Sequence, residues 1–127
     1  MAAKRVMFKT EFIFRASPTI VYQFLTAPAC LVRWFCNEVD ICDSEYTFTW
    51  DGYDERATLI MDIEDELLRF EWEDALPNEY LEFSITKSPV TEETILIITD
   101  FADVGTVPDA KKLWQSQIAQ MKTETGG

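Results

Sequence analysis

Acid–base and nucleophilic groups are scarce in this sequence. It contains no histidine, the commonest general base and a common metal ligand. Ser-His-Asp and Cys-His catalytic sets and histidine-ligated zinc or iron sites are therefore excluded. The candidates that remain are Glu55, which could act as an acid or a base, and Cys36, which could act as a nucleophile. The cysteines number three and show no C-x-x-C spacing, so we predict no disulfide framework, metal site or cofactor.

Glu55 stands out because of its predicted place in a hairpin. Asp51-Gly52 is a strong signal for a two-residue turn, and such a turn pairs Phe48 with Glu55. Glu55 then shares a strand face with Ala57 and other apolar residues. A carboxylate in that position either lies at the open rim of the sheet or binds something inside it, and both alternatives stay open.

Two threonines also interrupt apolar strand faces. Thr10 and Thr99 each lie between apolar residues that share their face. A buried hydroxyl needs a hydrogen-bond partner, which could be a ligand or another group of the core. We therefore keep both as candidate polar contacts.

The charge and hydropathy patterns restrict the partners. Lysine and arginine number 11 against 23 acidic residues, which gives a net charge of −12. Nucleic acid and anionic membrane surfaces attract positive charge, so neither is an expected partner. The sequence also lacks an apolar run of about 18 residues, the length that predicts a membrane span. We expect a cytoplasmic protein without membrane insertion.

Hydrophobic periodicity predicts a strand, two short helices, five strands and a terminal helix, as one domain over residues 1–127. Predicted strands cover residues 6–15, 46–50, 53–63, 68–73, 81–85 and 94–101. Helices are predicted to begin at Pro18, Pro28 and Val107, the first after a Ser17 N-cap. Strands in meander order favour an antiparallel sheet that curves, with the last helix on its concave face.

The terminal helix shows a regular apolar stripe. We expect its core side to carry Ala110, Leu113, Trp114, Ile118 and Met121. Residues 123–127 are predicted to form a frayed tail. The space between this helix and the sheet either fills with side chains or holds a ligand.

These elements and several short motifs resemble the START-like or SRPBCC superfamily, which has the helix-grip fold. The matching residues are Ala16-Ser17-Pro18, Val21-Tyr22, Leu25-Thr26, Leu31, Trp34-Phe35, Tyr46–Trp50, Leu68–Trp72 and Trp114. Within the superfamily the chain resembles the branch of chaperone ATPase activator homologues. The resemblance implies an α+β fold in which a curved antiparallel sheet wraps around a long C-terminal helix.

Departures from the family pattern limit what the resemblance implies. Asp43-Ser44 stands where many relatives carry a glycine pair, and Glu64-Asp65-Glu66 replaces a Pro-Pro turn. Chaperone activators also use a separate N-terminal domain, so that activity is not carried over. Oxygenase members hold iron with histidines, which this chain lacks.

The fold resemblance and the aromatic content favour binding of a hydrophobic or aromatic small molecule, including a lipid. The predicted contacts are Thr10, Phe12, Phe14, Trp34, Phe48, Trp50, Glu55, Leu59, Phe70, Trp72, Phe83, Ile97, Thr99 and Trp114. The alternatives are a protein–protein interaction module, as monomer or homodimer, and a histidine-independent cyclase or hydrolase. The question of catalysis stays open, with binding favoured over it.

Overall fold

The computed structural model describes residues 4–127, in which seven strands and three helices are defined. The strands are β1 (Arg5–Phe14), β2 (Glu38–Cys42), β3 (Glu45–Trp50), β4 (Tyr53–Ile63), β5 (Leu67–Trp72), β6 (Leu81–Lys87) and β7 (Thr94–Asp103). The helices are α1 (Pro18–Thr26), α2 (Pro28–Trp34) and α3 (Val107–Thr125), the last preceded by a 3₁₀ turn at Val104–Thr106. No helix in this part of the chain is long and apolar enough to cross a membrane.

All seven strands join in one antiparallel sheet with the order β1-β7-β6-β5-β4-β3-β2. Helix α3 packs against β1 and β7, while α1 contacts β6 and α2 contacts β2. The predicted α+β class, with a curved sheet around a long C-terminal helix, is confirmed. The first and last strands of the described chain lie side by side, and every other strand pairs with its neighbour in sequence.

Strand β2 was not predicted. It has five residues, and only Val39 and Ile41 are partly buried in it. The polar–apolar alternation of Glu38-Val39-Asp40-Ile41 is regular but short, and the Asp43-Ser44 turn that follows is a weaker hairpin signal than Asp51-Gly52. Asp43 adopts a left-handed φ of 56° in the turn that follows, where the family pattern suggested glycines.

The predicted starts of the helices are largely confirmed. Ser17 Oγ accepts a hydrogen bond from the Ile20 amide at 3.3 Å and caps α1. Pro28 begins α2, but its N-cap is Ala27, without a side-chain bond. The prolines fix the helix starts because their backbone angle suits the first turn and no amide hydrogen is needed there.

The predicted fraying of residues 123–127 is wrong. Helix α3 continues to Thr125, and Gly126 ends it with a left-handed φ of 90°. The Gly127 amide donates to the Lys122 carbonyl at 2.8 Å, and the Gly127 carbonyl accepts from Arg15 at 2.6 Å. Glycine at this position is the usual helix terminator, and the added backbone bonds hold the chain end against the end of β1.

The β3–β4 hairpin has the predicted register. Trp50 pairs with Tyr53 and Phe48 with Glu55. Asp51 and Gly52 have φ values of 48° and 87°, the pair of left-handed conformations that a two-residue turn of the favoured hand requires. The turn therefore places the aromatic side chains of β3 against the helices rather than towards solvent.

We expect Gly52→Ala to lower the free energy of unfolding by about 1–2 kcal/mol, because a β-carbon is disfavoured at left-handed φ. No atom lies within 4 Å of the added carbon, so the loss is conformational and not steric. Gly105→Ala is the matched control, since its position is also open and lacks a left-handed φ. Urea denaturation should show a change within about 0.5 kcal/mol for the control. Equal losses in both variants would contradict this account of the turn.

Candidate binding groove

Side chains fill the space between the sheet and the two short helices. A void of about 10 Å³ remains there, near the minimum for one water molecule. Its lining comprises Leu25, Leu31 and Trp34 from the helices, Phe48, Phe70, Trp72, Leu81 and Phe83 from the sheet, and Phe35. This region is therefore a packed core and does not enclose a ligand-sized cavity.

A much larger space opens beside it, between the β3–β4 hairpin and α3. This groove has a volume of about 600 Å³, within the usual range for small-molecule sites. We call it the α3 groove. Its aromatic lining is Phe35, Trp50, Tyr53, Trp72 and Trp114, and its aliphatic lining is Leu81, Ala110 and Leu113. The polar lining is Asp51, Glu55, Asp100 and Gln117.

Phe35 forms the wall between the void and the α3 groove. Its ring centroid lies 5.2 Å from that of Trp50 in an edge-on arrangement and 6.2 Å from that of Trp114 in a stacked one. The Trp50 indole donates a hydrogen bond to the Phe35 carbonyl, which ties β3 to the segment after α2. The wall is thus held by both ring packing and a backbone contact.

Leu113 differs from its prediction as a core residue. It belongs to the apolar stripe of α3, yet 61% of it is exposed. Trp114, Ile118 and Met121 of the same stripe are buried. Successive helical residues are about 100° apart, so Leu113 lies to one side of the buried residues and lines the open groove.

Asp100 lies in the α3 groove and was not among the predicted contacts. Its Oδ2 accepts from Trp114 Nε1 at 3.1 Å, and its Oδ1 accepts from the Phe101 amide at 2.8 Å. Burial raises the pKa of the Asp100 carboxyl, while these two hydrogen bonds oppose the rise. Alternation places Asp100 on the face of Leu96 and Ile98, but the sequence does not show that the helices cover this face.

The raised pKa of Asp100 predicts a pH-dependent contribution to stability. The folded state binds the proton more tightly than the unfolded state, so stability falls as pH rises from about 3.9 through the folded pKa. Asp100→Asn removes this contribution. We therefore expect urea denaturation to show wild type gaining stability relative to Asp100→Asn as pH falls from 7 towards 4. Asp40→Asn, an exposed β2 variant, is the control; a constant Asp100→Asn difference would contradict this prediction.

A second cavity of about 410 Å³ adjoins the α3 groove. The two share Glu55, Trp72 and Asp100. Arg5 also lines this second cavity, but Glu79 binds its guanidinium at 2.6 Å, and Asp103 is 3.2 Å away. The positive charge at this end of the molecule is therefore already paired.

The structure brings only part of the predicted contact set to the groove. Trp50, Glu55, Trp72 and Trp114 line it. The predicted residues that instead line the void, along with Trp72, are Trp34, Phe48, Phe70 and Phe83.

The remaining predicted contacts line neither the α3 groove nor the void. Thr10, Phe12, Phe14 and Leu59 lie on the sheet face that carries the core but away from the groove.

Ile97 and Thr99 are on the opposite face. They pair with Glu11 and Lys9 in β1, whereas the neighbouring Asp100 bonds to Trp114 of α3. Their assignment as contacts inside the helix-covered face was wrong, because strand residues alternate between faces.

The two groups considered for catalysis have different surroundings. Glu55 is exposed and is one of the residues that line the α3 groove. Cys36 is buried, and burial raises the pKa of its thiol to about 11. Because the thiolate is the reactive form, Cys36 is a poor nucleophile at neutral pH. These surroundings do not favour the nucleophilic role considered for Cys36.

The family profile of a START-like superfamily domain matches residues 1–127. No curated protein matches the chain significantly. A solution structure from Bacteroides fragilis is 27% identical, with a TM-score of 0.69 over 95% of this chain and 91% of that one. The Aha1 dimer from Colwellia psychrerythraea is 16% identical, with a TM-score of 0.80 over 94% and 96% of the two chains. An AHSA1-like protein from Aeromonas hydrophila is 16% identical, with a TM-score of 0.73 over 93% and 90%.

The chain belongs to the START-like superfamily. The Aha1 and AHSA1-like structures agree with the branch that the sequence resembles. At these identities they share the fold with this chain. A domain of this superfamily is a ligand-binding or interaction domain in general.

Proposed function

We propose that this protein binds an apolar, planar small molecule in the α3 groove. The observation that carries the proposal is the groove itself, about 600 Å³ lined by five aromatic side chains and open to solvent. Apolar pockets of this size with a few polar groups are the usual form of small-molecule sites. The void under α1 and α2 is too small to serve.

The aromatic lining supports a planar ligand in particular. Trp50, Trp72 and Trp114 contribute rings from three different elements, β3, β5 and α3. A flat ring can stack on or meet the edge of such side chains, and it keeps apolar surface from water. Lipid chains are a second apolar class that the groove could hold along its aliphatic side.

A protein partner is the second candidate. Leu113 is 61% exposed and Tyr53 is 78% exposed at the groove rim, and exposed apolar side chains beside a groove also suit an inserted peptide side chain. A protein partner would use the same surface, so a peptide that binds there should compete with a small-molecule probe.

The test is a titration with N-phenyl-1-naphthylamine, a neutral probe with two flat aromatic ring systems, followed by NMR of the indole N–H signals. Trp50, Trp72 and Trp114 line the groove and should shift on binding. Trp34 is the internal control, because its indole donates to the Phe24 carbonyl at 2.7 Å inside the core. Its signal should stay in place. Absence of any shift, or shifts confined to Trp34, would overturn the proposal.

A further inference from the structure

We propose that the α3 groove selects an organic cation, a protonated amine or quaternary ammonium group on an apolar body. This inference rests on the proposed function and specifies its ligand class. It follows from the charges and rings that the groove combines.

All charged side chains that line the groove in the described part of the chain are acidic. They are Asp51, Glu55 and Asp100. A neutral planar ligand would need no such set, and an anionic one would be repelled by it. The electrostatic complement of this lining is a positive charge.

The three acidic side chains of the groove are not neutralised by ion pairs within the described residues, so they can attract a cation. Neither Glu55 nor Asp51 takes part in an ion pair among residues 4–127. Among residues 4–127, the hydrogen-bond donors to Asp100 are neutral groups of Trp114 and Phe101. The arginine of the adjoining cavity, Arg5, is held by Glu79 and Asp103. Within the described residues, no lysine or arginine lines the groove for an entering cation to displace.

The rings add a second attraction for the same charge. A cation over the face of a tryptophan or tyrosine is stabilised by the ring quadrupole, and more strongly where water is excluded. Trp72 and Trp114 line the groove beside Asp100, while Tyr53 and Glu55 stand nearer its rim. A carboxylate next to an aromatic surface is a combination that suits an ammonium group attached to apolar carbon.

The test must separate a specific site from the general effect of a net charge of −12, which attracts every cation. Three probes share one ring system: 1-naphthylmethylammonium, 1-naphthalenemethanol and 1-naphthoate. We expect the cation to bind about tenfold more tightly than the neutral probe at 0.15 M salt, and the anion more weakly still.

Variants that each remove one negative charge, inside or outside the groove, show where the preference for the cation arises. Asp100→Asn and Glu55→Gln should each reduce the cation's advantage over the neutral probe, taken as the ratio of the two affinities, by about threefold or more. Asp40→Asn and Glu71→Gln change the charge equally; Asp40 lies on β2 and Glu71 on the outer sheet face, and both are exposed. These controls should keep the wild-type preference. Glu55→Gln is exposed and should fold, so the test does not depend on the stability of Asp100→Asn.

The outcomes distinguish the two proposals. Cation preference that Asp100→Asn or Glu55→Gln weakens and the controls preserve supports the inference. Equal affinity for cation and neutral probe, or equal weakening in all four variants, would overturn the inference and leave the apolar groove intact. Failure of all three probes to shift the groove indoles would overturn both proposals.

Discussion

Replacing Phe35 by alanine should lower the free energy of unfolding by about 3–5 kcal/mol, the cost typical of losing a buried aromatic ring. Phe35 is 7% exposed, and its ring centroid lies 5.1 Å from that of Trp34 and 5.0 Å from that of Phe48. It also meets Trp50 and Trp114. One ring thus joins α2, β3 and α3, and its loss leaves a cavity that several elements would have to close.

Phe101→Ala is the control, because it makes the same phenylalanine-to-alanine change outside this core. Phe101 is half-buried on the other face of β7 and meets one aromatic partner, Tyr80, at 5.3 Å. Its loss should cost under about 2 kcal/mol. Urea denaturation measures both values. A Phe35→Ala loss no larger than that of Phe101→Ala would show that Phe35 is not central to the core.

Filling the groove should abolish most of its binding. Ala110 is half-buried on α3 and lines the groove, so the ring of Ala110→Phe would occupy the space assigned to the ligand. We expect the affinity for N-phenyl-1-naphthylamine to fall at least about tenfold, which corresponds to about 1.4 kcal/mol. The groove is open, so the added ring should not force the core apart.

Ala119→Phe separates this effect from a general effect on the helix. Ala119 lies on the exposed side of α3 and outside the groove. Both substitutions carry the same helix-propensity cost of about 0.5 kcal/mol. Fluorescence titration should give a wild-type affinity for Ala119→Phe. Unchanged affinity in Ala110→Phe would show that the probe binds elsewhere.

Local signals predicted most of the fold. Asp51-Gly52 determined the hairpin and its register, because few residue pairs adopt two successive left-handed conformations. Ser17 and Pro18 located the start of α1 in the same way. Strand β2 has only five residues, and its Asp43-Ser44 turn lacks the glycine that marked the other hairpin.

The face of β7 could not be predicted from sequence. Both sets of alternate residues are apolar there, with Leu96 and Ile98 on one face and Ile95 and Ile97 on the other. Without contrast between faces, periodicity does not say which face the helices cover. Thr99 was assigned to the wrong face for this reason.

The groove depends on the relative placement of α3 and the hairpin, which is a tertiary property. The stripe of α3 predicted Leu113 as core, but Leu113 lies at the side of the buried residues and is exposed. The pattern rightly marked Trp50, Trp72 and Trp114 as facing inward. The pattern did not show that these three rings line an open groove, whereas Phe48 and Phe70 line the small void beside it.

The most direct test of a binding site in the α3 groove is the location of the probe in the wild-type complex. Isotope-filtered NOE spectra of N-phenyl-1-naphthylamine bound to labelled protein report which protons lie close to it. The groove predicts contacts with the indoles of Trp72 and Trp114 and with the methyl groups of Leu113. Contacts with Leu25 and Leu31 instead, in the core under α1 and α2, would contradict the account.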